Sequence, residues 1–291
     1  MKILFMGTPE FAKVSLEYLV ENKFDVAGVI TQPDKPVGRK MILTAPPVKE
    51  YALQKNIPVY QPQTLKDESF FELLKSIKPD IIIVVAYGKI LPENVINYPK
   101  YGCVNVHASL LPKYRGAAPI NAAIINGEEK TGITTIFMDY GIDTGDMILQ
   151  ESTEIGENET FGELHDRLAQ IGGKVLVETL NQIKNGTAKR EKQPQTNDES
   201  YVKKMNNDTC EIDWSLSAKE IHDKIRGLSP LPTAFTWLNG KRLKIYKSEV
   251  YDGILKILEV QLEGGKKMSA KDFLNGNKIA EGIISEWGIK I

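Results

Sequence analysis

A chain of 291 residues, 42% of them apolar, can bury the core of one large or two medium domains. Its formal net charge of −1 excludes an indiscriminate polyanion binder, so any contact with nucleic acid has to come from a local patch. Two distant cysteines, Cys103 and Cys210, with no C-x-x-C spacing argue against a thiol zinc site and for a reducing compartment.

The start, "MKILFMGTPEF", lacks the apolar core and cleavage site of a secretory signal, and no later apolar run reaches the length of a membrane span. The expectation is a soluble, cytoplasmic protein. Residues 2–7 read as a strand ending at Gly7, and Phe11, Val14, Leu19 and Val20 give the next segment one apolar helical face. Residues 25–31 are a second strand, and 32–46 a loop rich in proline, glycine and bases. Residues 80–87 are apolar at nearly every position, the pattern of a central parallel strand buried on both faces. The β-branched segment 102–109 and the strands at 131–139 and 146–155 follow. This alternation predicts an α/β fold with an open, parallel-type sheet and helices on both sides. Thr160 and Glu163 form a capping box for a long helix, in which Leu164, Leu168, Ile171, Val175, Leu180 and Ile183 recur at helical spacing. Aliphatic residues then nearly vanish over 185–204, which reads as a linker. Beyond it come a short strand "CEIDWS", a helix, a hairpin over 233–252 turning at Asn239-Gly240, a strand at 254–262 and a short helix at 269–276. These predict a small β-barrel.

A strand, a glycine and a helix at the start raise the possibility of dinucleotide binding. Pro9 follows Gly7, however, and the two further glycines of the pyrophosphate fingerprint are missing, so an ordinary strand-to-helix turn is favoured. The stronger signal is "NVHASLLPKYRG" at 105–116. Asn105 and His107, two apart on a strand, project to the same side at its end, where open α/β sheets bind ligands. An amide donor beside an imidazole suits a developing oxyanion at a carbonyl-type centre. The imidazole needs an orienting partner, and Asp143, between Gly141 and Gly145 in "MDYGIDTGDM", is the candidate carboxylate. Asp139 and Asp146 are assigned to turn and cap chemistry, and His165 and His222 to packing or surface. Ser109, Leu110, Leu111 and Pro112 form a stiff turn. Its backbone could bond a flat heterocycle while the leucines line an apolar slot, with an ordinary loop as the alternative.

At these residues the chain resembles a known family. "NVHASLLPKYRGAAPI" and "MDYGIDTGDM" are similar to the folate-dependent formyltransferases. "MGTPEFA", "TQPDKPVGRK", "VVAYGKILP" and "EIDWSLSA" resemble the branch of that family acting on methionyl-tRNA. The resemblance implies a Rossmann-like formyltransferase domain over 1–187, a linker over 188–206 and an OB-like barrel contacting tRNA over 207–291. It implies 10-formyltetrahydrofolate as formyl donor, the α-amine of initiator Met-tRNA as acceptor, no metal, and a monomer. Asn105, His107 and Asp143 match the family's catalytic trio, and Ser109, Leu110, Leu111 and Pro112 its folate-binding turn. Arg39 matches the arginine of a loop that meets the tRNA acceptor stem, with Lys35 and Lys40 beside it; Met41 and Ile42 stand where the family often has lysines. In the family a segment like 281–291 precedes one like 254–276. Here it follows, so either the barrel is permuted or the chain joins its pieces in an unusual order.

The charge pattern agrees with a tRNA partner. Loop 32–49 sets Lys35, Arg39, Lys40 and Lys49 against Asp34 alone, and segment 184–204 sets six bases against three acids. Sugar-nucleotide formyltransferases and formyltetrahydrofolate hydrolases share the trio and a two-domain layout. Outside the family, the alternatives are a nucleotide-dependent oxidoreductase, opposed by the missing glycines, and a non-catalytic tRNA-binding module, opposed by the intact trio.

Overall fold

The computed structural model describes residues 1–38, 40–194 and 201–276. They form two compact units. One comprises 1–115, 132–152 and 166–194, the other 116–131, 153–165 and 201–276.

The first unit is built on a seven-stranded sheet. Its strands are β1 (Lys2–Gly7), β2 (Asp25–Ile30), β5 (Val59–Tyr60), β6 (Ile81–Val85), β7 (Cys103–His107), β9 (Lys130–Phe137) and β10 (Met147–Glu154), in the order β10-β9-β7-β6-β1-β2-β5. β6 reads IIIVV and is buried throughout, as a central strand covered on both faces must be. From β7 to β5 the neighbours run parallel, as expected. The departure is β9, which runs antiparallel to β7. A parallel return needs a helix crossing the sheet. Between β7 and β9 the chain has only the two-residue β8 (Arg115–Gly116) and helix α5 (Pro119–Ile125), and α5 belongs to the other unit.

Strand alternation sorts the core by face. Leu4, Met6, Ile82, Val84 and Cys103 pack with Phe70, Leu74 and Ile77 of α3 (Glu68–Ile77) and with Val95 and Ile96 of α4 (Glu93–Ile96). Helix α1 (Glu10–Glu21) packs on β1, β2 and β6 and also meets α2 (Pro47–Gln54). The long helix α6 (Phe161–Asn185) starts behind the expected capping box, with the Thr160 N–H donating to Glu163 Oε2 at 2.9 Å. It approaches α1 at Gly173, where a Cβ would lie 2.3 Å from the Tyr18 ring.

The loop expected at 32–46 carries an antiparallel ribbon, β3 (Lys35–Val37) and β4 (Ile42–Thr44). Both strands are exposed, and Met41, Ile42 and Leu43 are each more than 60% exposed. Lys49 is not among the charges this loop presents. Its Nζ donates to both carboxylate oxygens of Asp34 at 2.8 Å and to Gln61 Oε1 at 2.9 Å. These bonds, Lys49 first and Gln61 second, hold the Asp34 carboxyl below its usual pKa.

In the second unit, β12 (Ala234–Leu238), β13 (Lys241–Tyr251), β14 (Ile254–Leu262) and β15 (Met268–Ser269) form an antiparallel sheet in sequence order. Asn239 at φ +48° and Gly240 at φ +74° make the predicted hairpin turn. The unit also holds β11 (Tyr201–Val202), α7 (Asn207–Cys210), α8 (Ala218–Gly227) and α9 (Ala270–Gly276). The strand expected over "CEIDWS" reduces to a single bridge, Glu211 with Phe235. The displaced segment 281–291, on which the barrel's strand order turns, lies outside the described residues.

Helix α8 ties the unit's separate stretches together. Asn121 Nδ2 of α5 donates to the Gly227 carbonyl at 2.8 Å, and Arg226 Nη1 donates to the carbonyls of Gly156 and Glu159, both at 3.1 Å. Arg226 is itself held by Asp223 at 2.7 Å, and Asp223 also pairs with Lys219 at 2.7 Å. His222, between Ser248 Oγ at 2.9 Å and the Glu157 carbonyl at 3.2 Å, is buried, and burial pushes its imidazole pKa down. The unfolded chain therefore takes up this proton first as pH falls. The neutral ring costs nothing above the unfolded pKa of about 6.5, and stability is lost below it. Thermal unfolding between pH 7.5 and 5.5 checks this: a His222→Asn variant should lose less melting temperature over that interval than the parent.

Candidate active site

Along β7 one face changes character. Cys103 sits under α4, its Sγ 3.7 Å from the Val95 carbonyl and 3.6 Å from that of Ile96. Burial drives its thiol pKa up to about 12, so it is a packing residue and not a nucleophile. Val104 and Val106 face the other way, Val106 towards α6 at Gly172. Asn105 and His107 continue the Cys103 face and make it polar.

The carboxylate reaches this face from the far end of the strand. The Phe137 N–H donates to the Asp146 carbonyl at 2.9 Å and the Met138 N–H to the Cys103 carbonyl at 2.8 Å, closing a loop over 138–146. Because β9 runs against β7, with Phe137 opposite Val104 and Thr134 opposite His107, this loop leaves beside the start of β7. It then folds back along the strand. The sequence expectation of three groups meeting at strand ends holds for His107, the last residue of β7, while Asp143 arrives from the opposite direction. Asp143 takes both partners: Asn105 Nδ2 donates to Oδ1 at 3.0 Å, and His107 Nδ1 lies 3.5 Å from Oδ2.

Asp143 adopts the left-handed conformation at φ +54°, which Asp tolerates better than most residues. Gly145 supplies space instead, since a Cβ there would lie 1.7 Å from the Phe137 carbonyl oxygen. Asp139 does the turn chemistry expected of it, accepting from the Gly141 N–H at 3.0 Å and Thr144 Oγ1 at 2.7 Å.

His107 is fixed from behind. Its Nε2 lies 2.9 Å from the Tyr114 carbonyl, which can only accept, so Nε2 carries the hydrogen. Nδ1 is the ring atom turned to the carboxylate. Asn105 spends one amide hydrogen on Asp143, and the other has no partner among the described residues. The three groups therefore offer an amide N–H, an imidazole nitrogen and a carboxylate around one point.

The turn after β7 is anchored differently from the sequence expectation. Ser109 is fully buried and its Oγ donates to the Lys113 carbonyl at 2.6 Å. The Leu111 N–H donates to Thr134 Oγ1 at 3.2 Å, and its carbonyl accepts from Gln150 Nε2 at 2.8 Å. Leu111 packs with Ile136 and Met147. Its backbone and side chain are thus used inside the protein, while Leu110 and Pro112 keep partly exposed surface. Lys35, on β3, and Lys40, just beyond it, are exposed; Arg39 lies outside the described residues. His165 lies against Phe161, with ring centroids 5.6 Å apart. Among the described residues no cluster of three His, Cys, Asp or Glu side chains could hold a metal.

Sequence reading missed Gln193. Its Nε2 donates to the carbonyls of Asp143 and Gly145, both at 2.8 Å. It lies in a polar segment without periodicity, so no local pattern separates it from linker. Tyr114, whose carbonyl bonds His107 Nε2, turns at φ +60°, a backbone state that its residue type does not announce.

Residues 1–180 match the family described as formyl transferase, and residues 204–253 and 249–278 match its C-terminal domain. A methionyl-tRNA formyltransferase of Alkaliphilus oremlandii is 50% identical over 98% of this chain and 99% of its own. The crystal structure of a sugar 3N-formyl transferase, in the presence of dTDP and 5-N-formyl-THF, is 26% identical with a TM-score of 0.64, covering 87% of this chain and 88% of that one. A methionyl-tRNA formyltransferase structure from Clostridium thermocellum shares the fold at 20% identity and a TM-score of 0.62, covering 90% and 98%.

Proposed function

Since this chain belongs to the formyl transferase family, we propose that it moves the formyl group of 10-formyltetrahydrofolate onto the α-amine of initiator methionyl-tRNA, for translation initiation. One observation carries the chemistry: Asn105, His107 and Asp143 converge on one face of β7. The neutral amine attacks the formyl carbon, and the carbonyl oxygen becomes an alkoxide. The spare Asn105 amide hydrogen stabilises it, and so does His107 when its ring carries hydrogens on both nitrogens, Nε2–H held by the Tyr114 carbonyl and Nδ1–H given to the oxygen; each donor is worth about 2.7–4 kcal/mol of barrier. Asp143 orients both and relays the proton lost by the amine to N10 of the folate as the carbon–N10 bond breaks. The products are the formamide and tetrahydrofolate, with no net proton change.

The family's folate turn supports placing the donor against Leu110 and Pro112, which keep surface beside the trio's strand. Ser109 and Leu111 act by holding that turn. The exposed β3–β4 ribbon, with Lys35 and Lys40, takes the tRNA acceptor stem, Arg39 joining them as the family's loop arginine, and the second unit adds further tRNA contact. No described helix is long and apolar enough to cross a membrane. The reading extends to a monomer working in the cytoplasm.

Transfer of labelled formyl from the folate donor, with Met-tRNA, an amino-sugar nucleotide and water as rival acceptors, tests this reading. Label on the methionyl amine supports it, and label on the sugar or released as formate overturns it. In the same assay Arg39→Ala should raise KM for Met-tRNA several-fold and leave KM for the donor unchanged. Equal losses towards both substrates would remove Arg39 from the tRNA site.

A further inference from the structure

The segment after α6 does more than connect. Glu191 pairs antiparallel with Met147, through N–H···O bonds of 2.8 and 2.9 Å, and so lies beside the start of β10. The Arg190 guanidinium stacks 3.9 Å from the centre of the Phe137 ring, at the other end of the 138–146 loop. Between these anchors and the trio stands Gln193. One amide nitrogen bridges two loop carbonyls, that of Asp143 and that of Gly145. The direction of that amide is not free. Gln193 Oε1 accepts a fork from the buried Arg115, at 3.0 Å from Nε and 2.7 Å from Nη2. Arg115 can only donate, so it selects the orientation in which the amide nitrogen faces the loop. Arg115 also follows directly on Tyr114, whose carbonyl fixes His107 Nε2.

We infer that Gln193 is a positioning residue for formyl transfer: oriented by Arg115, it clamps the left-handed Asp143 backbone so that the carboxylate meets Asn105 and His107. The inference rests on the function proposed above. It assigns a catalytic consequence to a stretch that composition marks as linker. Asp143 needs such a clamp because its conformation is a sparsely populated one that surrounding contacts have to enforce.

The discriminating variant is Gln193→Glu. It keeps the shape and the acceptor for Arg115 but replaces the donor with a carboxylate oxygen facing two carbonyls. Steady-state formyl transfer with the full-length protein should show kcat down tenfold or more, with both KM values within threefold of the parent. Set in an Asp143→Ala background and followed by single-turnover labelling, the same change should cost less than twofold, because the group it positions is gone. A parent that transfers formyl while Gln193→Glu keeps kcat within twofold overturns the inference and leaves the function standing; so does an equal loss in both backgrounds. A parent that transfers no formyl overturns the function itself. If Gln193→Glu does not fold, Arg115→Lys is the second probe. It removes the fork and leaves the loop's own residues unchanged, and kcat should fall at least threefold at unchanged KM; an unchanged kcat overturns the inference.

Discussion

Asp143→Asn should lower kcat for formyl transfer by about 10⁴-fold, the scale of replacing the orienting carboxylate of a hydrolytic triad with its amide. The substitution is nearly isosteric, so the loop closure through Phe137 and Asp146 and the Gln193 contacts to the backbone remain. What changes is the pairing. Oδ1 can still accept from Asn105, which turns the new amide nitrogen towards His107 Nδ1. That nitrogen is a donor, and it favours a ring with no hydrogen on Nδ1. The ring then has nothing to give a developing alkoxide, and the proton leaving the amine has lost its carboxylate. Rapid-mixing single-turnover measurement with prebound donor isolates the chemical step. A loss under tenfold, with an intact melting temperature, would show that Asp143 does not work through His107.

Asn105→Ala should have the next largest effect, about 10²–10³-fold in kcat, the range observed when a single oxyanion donor is removed from an acyl-transfer enzyme. Two contributions act together. The alkoxide loses the spare amide hydrogen, and Asp143 Oδ1 loses its 3.0 Å donor. Because the missing interaction exists only once the oxygen carries charge, KM for both substrates should change little. A fall in kcat/KM that arises mainly from KM would place Asn105 in ground-state binding instead.

Much of this was legible in the sequence because it is local. Period-two alternation places Asn105 and His107 on one side of a strand without any coordinates. The unbroken apolar run at 81–85 announces a central strand, and Thr160 with Glu163 announces the start of α6. What stayed hidden depends on partners far along the chain. The reversal of β9 follows from where α5 packs, and α5 packs on α8, a hundred residues later. The partners of Leu111 are equally remote: Thr134 and Gln150 bond its backbone, and Ile136 and Met147 pack its side chain. Lys49 counted as a free base until Asp34 and Gln61 were seen to hold it. Gly141 and Gly145 flank the turn in the sequence, whereas the left-handed residue between them is Asp143.

The braided path of the second unit, drawn from 116–131, 153–165 and 201–276, has a genetic corollary. Its α8 arginine caps carbonyls translated some seventy residues earlier, at Gly156 and Glu159. A ribosome pausing before residue 201 has therefore already released two stretches whose packing partners are still unmade. Exchanging the carboxyl-terminal part alone, by recombination or gene fusion, would take away the arginine that those two carbonyls now bond.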